Sequence, residues 1–233
     1  MNINRVHCLF EQSGTFKKVF LDNNIQAFDY DIQDEFNQTD FQVDLFEEIS
    51  RINFSSVFDD IKLDDLAFAF FPCTYFEVQS CMVSRCDTQN MIDWIPERKI
   101  SACMENNRLR FTYFEYLNQL VDYFLRSGKR LILENPYYKY SFLKNFWCFK
   151  PDIIHEDRTK FGDYFKKPTG YWFFNCEPES SLFFKEYQLS LLDNSYTVHT
   201  VNGKDLGVKN RRAARSLIST GYAEYFIKQY LLS

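Results

Sequence analysis

The sequence predicts an α/β protein, with a mostly parallel sheet and helices on both faces. Short apolar runs alternate with helix-period segments from the first residues onward, the order that parallel sheets produce. Two of those runs, Leu66–Phe71 (LAFAFF) and Arg130–Leu133 (RLIL), lack the polar alternation of a half-exposed strand and read as buried strands. Each stops on an abrupt chemical change, Pro72-Cys73 in one case and Glu134-Asn135-Pro136 in the other. In open α/β sheets, ligands bind beyond the carboxyl ends of the strands, where these breaks fall.

The elements follow in order. Arg5–Phe10 reads as a strand running into a turn at Gln12-Ser13-Gly14. Thr15–Asn23 has helical spacing, with Phe16, Val19 and Phe20 on one face. Gln26–Tyr30 is a second strand that ends among acids, Asp29 and Asp31. Phe41–Ile49 suggests a brief strand or turn and then a helix. Arg110–Arg126 gives the clearest helix, with Phe111, Phe114, Leu117, Leu120, Val121 and Phe124 in register and Ser127-Gly128 closing it. Tyr171–Phe174 is a late strand, and Arg215–Leu232 a terminal amphipathic helix.

Composition limits the rest. The chain has 233 residues, 45% hydrophobic and 25% charged, which suits one globular domain over 1–233 and excludes a mostly disordered chain or a disulfide miniprotein. No run approaches the roughly 20 apolar residues of a membrane span, and the first ten residues lack a secretory pattern. Seven scattered Cys read as reduced thiols of a cytoplasmic protein. There is no CxxC pair, and the three His are isolated, so no metal site is expected.

The net charge of −5 hides an asymmetry. Residues 1–66 hold 5 basic and 14 acidic side chains, while 126–172 hold 10 basic and 5 acidic. Lys204, Lys209, Arg211, Arg212 and Arg215 add a second basic cluster. A polyanion would meet the C-terminal half.

Four motifs carry chemistry. Phe10-Glu11-Gln12-Ser13-Gly14-Thr15 places a Gly turn between strand and helix, where backbone N–H groups can face a ligand. Asp29, with Asp31 close behind, could accept the hydroxyls of a ribose. Cys73, just past a buried strand, could serve as a nucleophile if its thiol were activated. Glu134 ends an apolar strand, and a carboxyl there is costly to bury unless it binds or protonates something.

Taken together, these residues resemble the S-adenosylmethionine-dependent DNA cytosine-C5 methyltransferases, and among them the small phage-borne relatives. The resemblance spans most of the chain and implies a Rossmann-like class I methyltransferase fold. It implies that Phe10, Glu11, Ser13, Gly14 and Thr15 bind the methionine end of the cofactor, although Gln12 stands where the family has Gly. Asp29 would take the ribose, Asp44 in Gln42-Val43-Asp44-Leu45 the adenine amino group, and Pro72 would line the same site. Phe71-Pro72-Cys73 looks like the Pro-Cys motif with its nucleophile. Leu133-Glu134-Asn135-Pro136 resembles the Glu-Asn-Val motif that grips cytosine. Lys160-Phe161-Gly162-Asp163 and Lys166-Lys167-Pro168-Thr169-Gly170-Tyr171-Trp172 resemble a segment of the small relatives. Arg215–Ile218 with Tyr222–Ile227 looks like the last family motif.

On that resemblance Cys73 and Glu134 are catalytic. Asn135, Lys160, Lys166, Lys167, Thr169, Arg211 and Arg212 contact a DNA substrate that is single-stranded or has its cytosine flipped out. Too little chain separates Trp172 from Arg215 for a large recognition domain, so a recognition partner or a homodimer is an expected companion. Three other readings fit the same residues. One is a non-catalytic binding module on the same fold. Another is an amino-methyltransferase, for which Asn135-Pro136-Tyr137-Tyr138 speaks. The third is a methyltransferase acting on RNA or nucleotides.

Overall fold

The computed structural model describes residues 1–52, 55–86, 89–180 and 217–232. Among these, the strands are β1 (Arg5–Leu9), β2 (Gln26–Asp31), β3 (Phe41–Gln42), β4 (Leu66–Phe70), β5 (Arg130–Pro136), β6 (Ile153–His155) and β7 (Thr169–Phe174). The helices are α1 (Thr15–Asp22), α2 (Leu45–Ser50), α3 (Val78–Arg85), α4 (Pro96–Ser127), α5 (Phe142–Phe146) and α6 (Thr220–Tyr230). The seven strands form one sheet in the order β3-β2-β1-β4-β5-β7-β6. The pairs from β3 through β5 are parallel, and β7 is antiparallel to both its neighbours. The order reverses between β1 and β4, the switch point of a Rossmann-like sheet.

Both faces are covered, as the apolar runs require. On one face α1 and α6 pack Phe16, Val19, Phe20, Tyr222, Ala223, Phe226 and Ile227 against Val6, Phe68 and Tyr171. On the other, α2, α4 and α5 bury Leu45, Ile49, Leu117, Leu120, Val121, Phe124 and Phe142 against Leu9, Ala69, Leu133 and Trp172. The high aromatic content largely serves these two cores. Phe16 meets Phe68 edge-on at 4.9 Å, and Phe76 stacks between Phe71 and Phe142. No described helix is long and apolar enough to cross a membrane.

Two elements exceed their sequence signal. The helix expected from Arg110 begins at Pro96 and runs 32 residues to a left-handed Gly128 cap. Its first half shows little apolar period because its inward contacts are polar. Asn106 donates to the Ser80 carbonyl at 2.9 Å, and Arg110 donates to Ser80 Oγ at 3.0 Å and Ser84 Oγ at 3.1 Å. The strand expected to stop at Leu133 runs on to Pro136, because Glu134, Asn135 and Pro136 pair with Tyr171, Gly170 and Thr169 of β7.

Candidate functional site

The topology decides what meets at the carboxyl edge. β1, β2, β3 and β4 deliver Phe10–Gly14, Asp31, Asp44 and Pro72-Cys73 there. β7 runs antiparallel, so the residues before it, Lys166–Pro168, return to the same edge. β6 pairs antiparallel with β7, bringing His155 opposite Thr169 and Arg158 just beyond. Glu134 pairs with Phe70, so Cys73 lies three residues past the β4 position facing it.

The first loop is tightly set. Phe10 takes φ 60° and Gly14 φ 68°. A Cβ on Gly14 would come within 3.0 Å of Gln38 Cβ, so the turn needs both the dihedral and the space of Gly. Glu11 is buried and accepts from the Ser13 backbone N–H at 2.9 Å and from the Ser13 hydroxyl, with Asp29 hydrogen-bonded beside it. Ser13 Oγ lies 2.8 Å from Thr15 Oγ1. Gln12 turns its amide to the loop after β2. It donates to Gln33 Oε1 at 3.1 Å and accepts from the Glu35 backbone N–H at 3.2 Å.

Asp29, the acid singled out on β2, lies inside the fold. Asp29 is wholly buried, and Lys17 Nζ of α1 lies 3.3 Å from its carboxyl. Burial, reinforced by the nearby Glu11 carboxylate, pushes Asp29 up to about 9. A strand shows alternate residues on one face, so Asp31 follows on the same side, two residues closer to the edge. It is half-buried and accepts from the Gln33 N–H at 2.8 Å. Asp31 is the acid at the strand's end. Cys8, Glu11 and Asp29 place donor atoms within 4.8 Å of one another, but the Lys17 ammonium already supplies a cation there. Asp44 caps α2, accepting from the Phe46 N–H at 2.9 Å and the Glu47 N–H at 3.3 Å.

Cys73 and Pro72 are partly exposed on the loop after β4. That loop is held at both ends. The Cys73 carbonyl accepts from the Phe76 N–H at 2.8 Å, and Arg110 Nε donates to the Tyr75 carbonyl at 2.9 Å. Burial pushes the Cys73 thiol up to about 11; the Lys167 charge works the other way, and Glu77 and Glu134 add to the rise. The resting thiol is therefore protonated at neutral pH.

Glu134 is buried, with Arg158 Nη1 3.5 Å from its Oε1. Arg158 is wholly buried, pairs with Asp163 at 2.5 Å and lies over the Tyr222 ring at 4.4 Å. The sequence reading missed it. A single Arg in a basic stretch gives no periodic signal, and its partners lie on β5, on α6 and in the loop before β7.

The other residues at or near this edge have defined surroundings. Asn135 faces inward, its Nδ2 donating to the Phe71 carbonyl at 2.8 Å, so it joins β5 to the loop after β4. Thr169 is buried, donates to the Lys167 carbonyl at 2.9 Å and accepts weakly from Arg158 at 3.4 Å. Lys166 is exposed and Lys167 half-buried at the edge; Lys160 is exposed on the turn after β6. Phe76 belongs to the core, Tyr75 packs edge-on to Tyr113 at 4.6 Å, and Trp94 lies under Arg98 at 3.8 Å. Arg211 and Arg212 lie outside the described residues. Compared with known proteins, the chain matches no family model, and a search of curated proteins returns no match.

Proposed function

We propose that this protein is an S-adenosylmethionine-dependent methyltransferase that modifies cytosine C5 in DNA. The observation that carries the reading is the convergence of Cys73, Glu134, Arg158 and Lys167 at the carboxyl edge of the sheet, beside the left-handed Gly14 turn. A thiol, a buried carboxyl and a cation are the parts that addition to a cytosine ring requires. The donor set at this edge suits the cofactor's polar groups: the Gly14 turn opening α1, the buried Glu11 carboxyl, and Asp31 at the end of β2. Glu11, Ser13 and Gly14 would hold the amino-acid end, Asp31 the ribose and Asp44 the adenine. When bound, the cofactor supplies an electrophilic methyl group.

The chain's own residues then have distinct work. The Cys73 thiol passes its proton to the Glu134 carboxylate, directly or through water, and Sγ forms a bond to C6 of the ring while the C5–C6 π pair is released toward C5 and N3. Glu134 in turn presents that proton to N3, where negative charge develops. C5 thereby gains the nucleophilic character that an electrophilic methyl group would meet. A solvent water would take the C5 proton; that C–H electron pair re-forms the C5–C6 double bond and expels Sγ as thiolate, which restores the ring, and the N3 proton returns through Glu134 to the thiol. Arg158 keeps Glu134 in place, and Lys167 favours the thiolate. A base inside a duplex must leave the stack to reach this edge.

The test is transfer of labelled methyl to mixed-sequence DNA, with nucleoside mass spectrometry, for wild type and Cys73→Ala. The expected product is 5-methylcytosine, absent in the variant, whose cofactor affinity by calorimetry stays near wild type. Equal activity in Cys73→Ala overturns the C5 mechanism.

A further inference from the structure

We infer that the segment 137–150, leading from β5 through α5, is a single-strand binding platform, so that the substrate is single-stranded DNA adjoining the target base. The inference rests on the DNA reading above and deepens it. The segment, YYKYSFLKNFWCFK, contains Lys139, Lys144 and Lys150 and no Asp or Glu, in a chain whose net charge is −5. Its aromatic residues divide into two sets. Phe142 and Trp147 are buried; Phe142 stacks on Phe76, and its backbone N–H donates to the Phe76 carbonyl at 2.7 Å. Tyr140 and Phe146 instead stand 60% and 70% exposed. The lysines keep close to ring faces: Lys139 Nζ lies 5.3 Å from the Tyr140 centroid, and Lys144 Nζ lies 5.1 Å from that of Tyr137.

The placement is specific. The Phe142–Phe76 hydrogen bond fixes α5 to the loop that carries Cys73. The Tyr137 N–H donates to the Pro168 carbonyl at 2.9 Å, fixing the start of the segment to the Lys166-Lys167 loop. Rings and ammonium groups thus continue outward from the candidate catalytic edge on rigid backbone. Exposed rings beside lysines suit unpaired bases, whose faces are open to stacking while their phosphates meet the cations. A duplex offers its phosphates but keeps its base faces stacked.

The experiment is fluorescence anisotropy with labelled mixed-sequence 12-mers, as single-stranded DNA, duplex DNA and single-stranded RNA, without cofactor. The proteins are wild type, Tyr140→Ala, Phe146→Ala, Lys144→Ala and the distant exposed Leu63→Ala. We expect single-stranded DNA to bind at least tenfold more tightly than duplex. Each ring variant should weaken single-strand binding about fivefold or more. Lys144→Ala should lower the slope of log affinity against log salt by about 0.7. Leu63→Ala should match wild type, and all variants should melt as wild type does. Single-strand binding unchanged in every platform variant overturns the platform while leaving the DNA reading standing. Equal or tighter duplex binding overturns the single-strand assignment, and tighter binding of RNA overturns the DNA commitment. Absence of any DNA binding by wild type overturns both readings, and calorimetry with cofactor then shows whether the methyltransferase reading falls with them.

Discussion

Asn135 donates its side-chain amide to the carbonyl oxygen of Phe71 across 2.8 Å, with both residues buried. Asn135 follows Glu134 directly, and Phe71 precedes Cys73 by two residues. One hydrogen bond therefore sets the spacing between the two groups with proposed chemical roles. Asn135→Ala leaves the Phe71 carbonyl without that donor, at a cost of about 1–3 kcal/mol. The expected outcome is a modest fall in urea stability with a much larger fall in kcat. If Asn135→Ala lost stability but kept kcat, the bond would serve the fold alone.

Arg158 lies between two buried carboxyls, 3.5 Å from Glu134 and 2.5 Å from Asp163. Its charge lets both carboxyls stay buried, and removing one partner of such an arrangement typically costs about 3–5 kcal/mol. Arg158→Met is expected to lose stability on that scale in urea unfolding. Arg158→Lys should recover part of the stability but not the two-pronged geometry, because an ammonium cannot address both carboxyls as a guanidinium does. A loss below about 0.5 kcal/mol for Arg158→Met, the level of an ordinary surface change, would show that the cluster is not holding charge.

These two residues also show where the sequence was legible. Cys73 and Glu134 could be found because each interrupts an apolar run, and such a break marks a strand end without any knowledge of its neighbours. Local pattern also found the strands β1, β2, β4 and β5 and their mostly parallel sheet. Asn135 and Arg158 act through partners distant in sequence, so their local setting says nothing of their contacts. Asp29 and Asp31 were separable only by burial; two acids spaced by one residue share a face, and the strand's end decides which one meets the edge. The first half of α4 was invisible because Asn106 and Arg110 replace the apolar stripe with hydrogen bonds to Ser80 and Ser84.

The Cys73 thiol stands at about 11, with burial the principal cause and Lys167 the opposing one. In the free protein its alkylation by iodoacetamide, read by peptide mass spectrometry, should rise about tenfold per pH unit from 7 to 10, without a plateau. Lys167→Gln should slow it further at each pH, since the cation favouring thiolate is gone. A plateau near pH 8 would show a nucleophile already activated before substrate arrives.

Asp29 gives the fold a pH dependence that is separable from the chemistry. Its carboxyl is raised from 3.8 to about 9, mainly by burial and next by Glu11, with Lys17 acting against the rise. Between those values the folded chain holds a proton that the unfolded chain has released, so stability falls as pH rises through the window. The clearest range is pH 7.5 to 9, because His7 and His155 are both shifted downward in the folded chain and ordinary histidines are largely neutral there. Asp29→Asn removes the titration while keeping the shape, and Lys17 retains Asp40 at 3.0 Å. The melting temperature of wild type should drop across this range, and that of Asp29→Asn should drop less and lie higher at pH 9. Parallel curves for the two proteins would mean that Asp29 is ionised in the fold at neutral pH, with Lys17 as its full counter-charge.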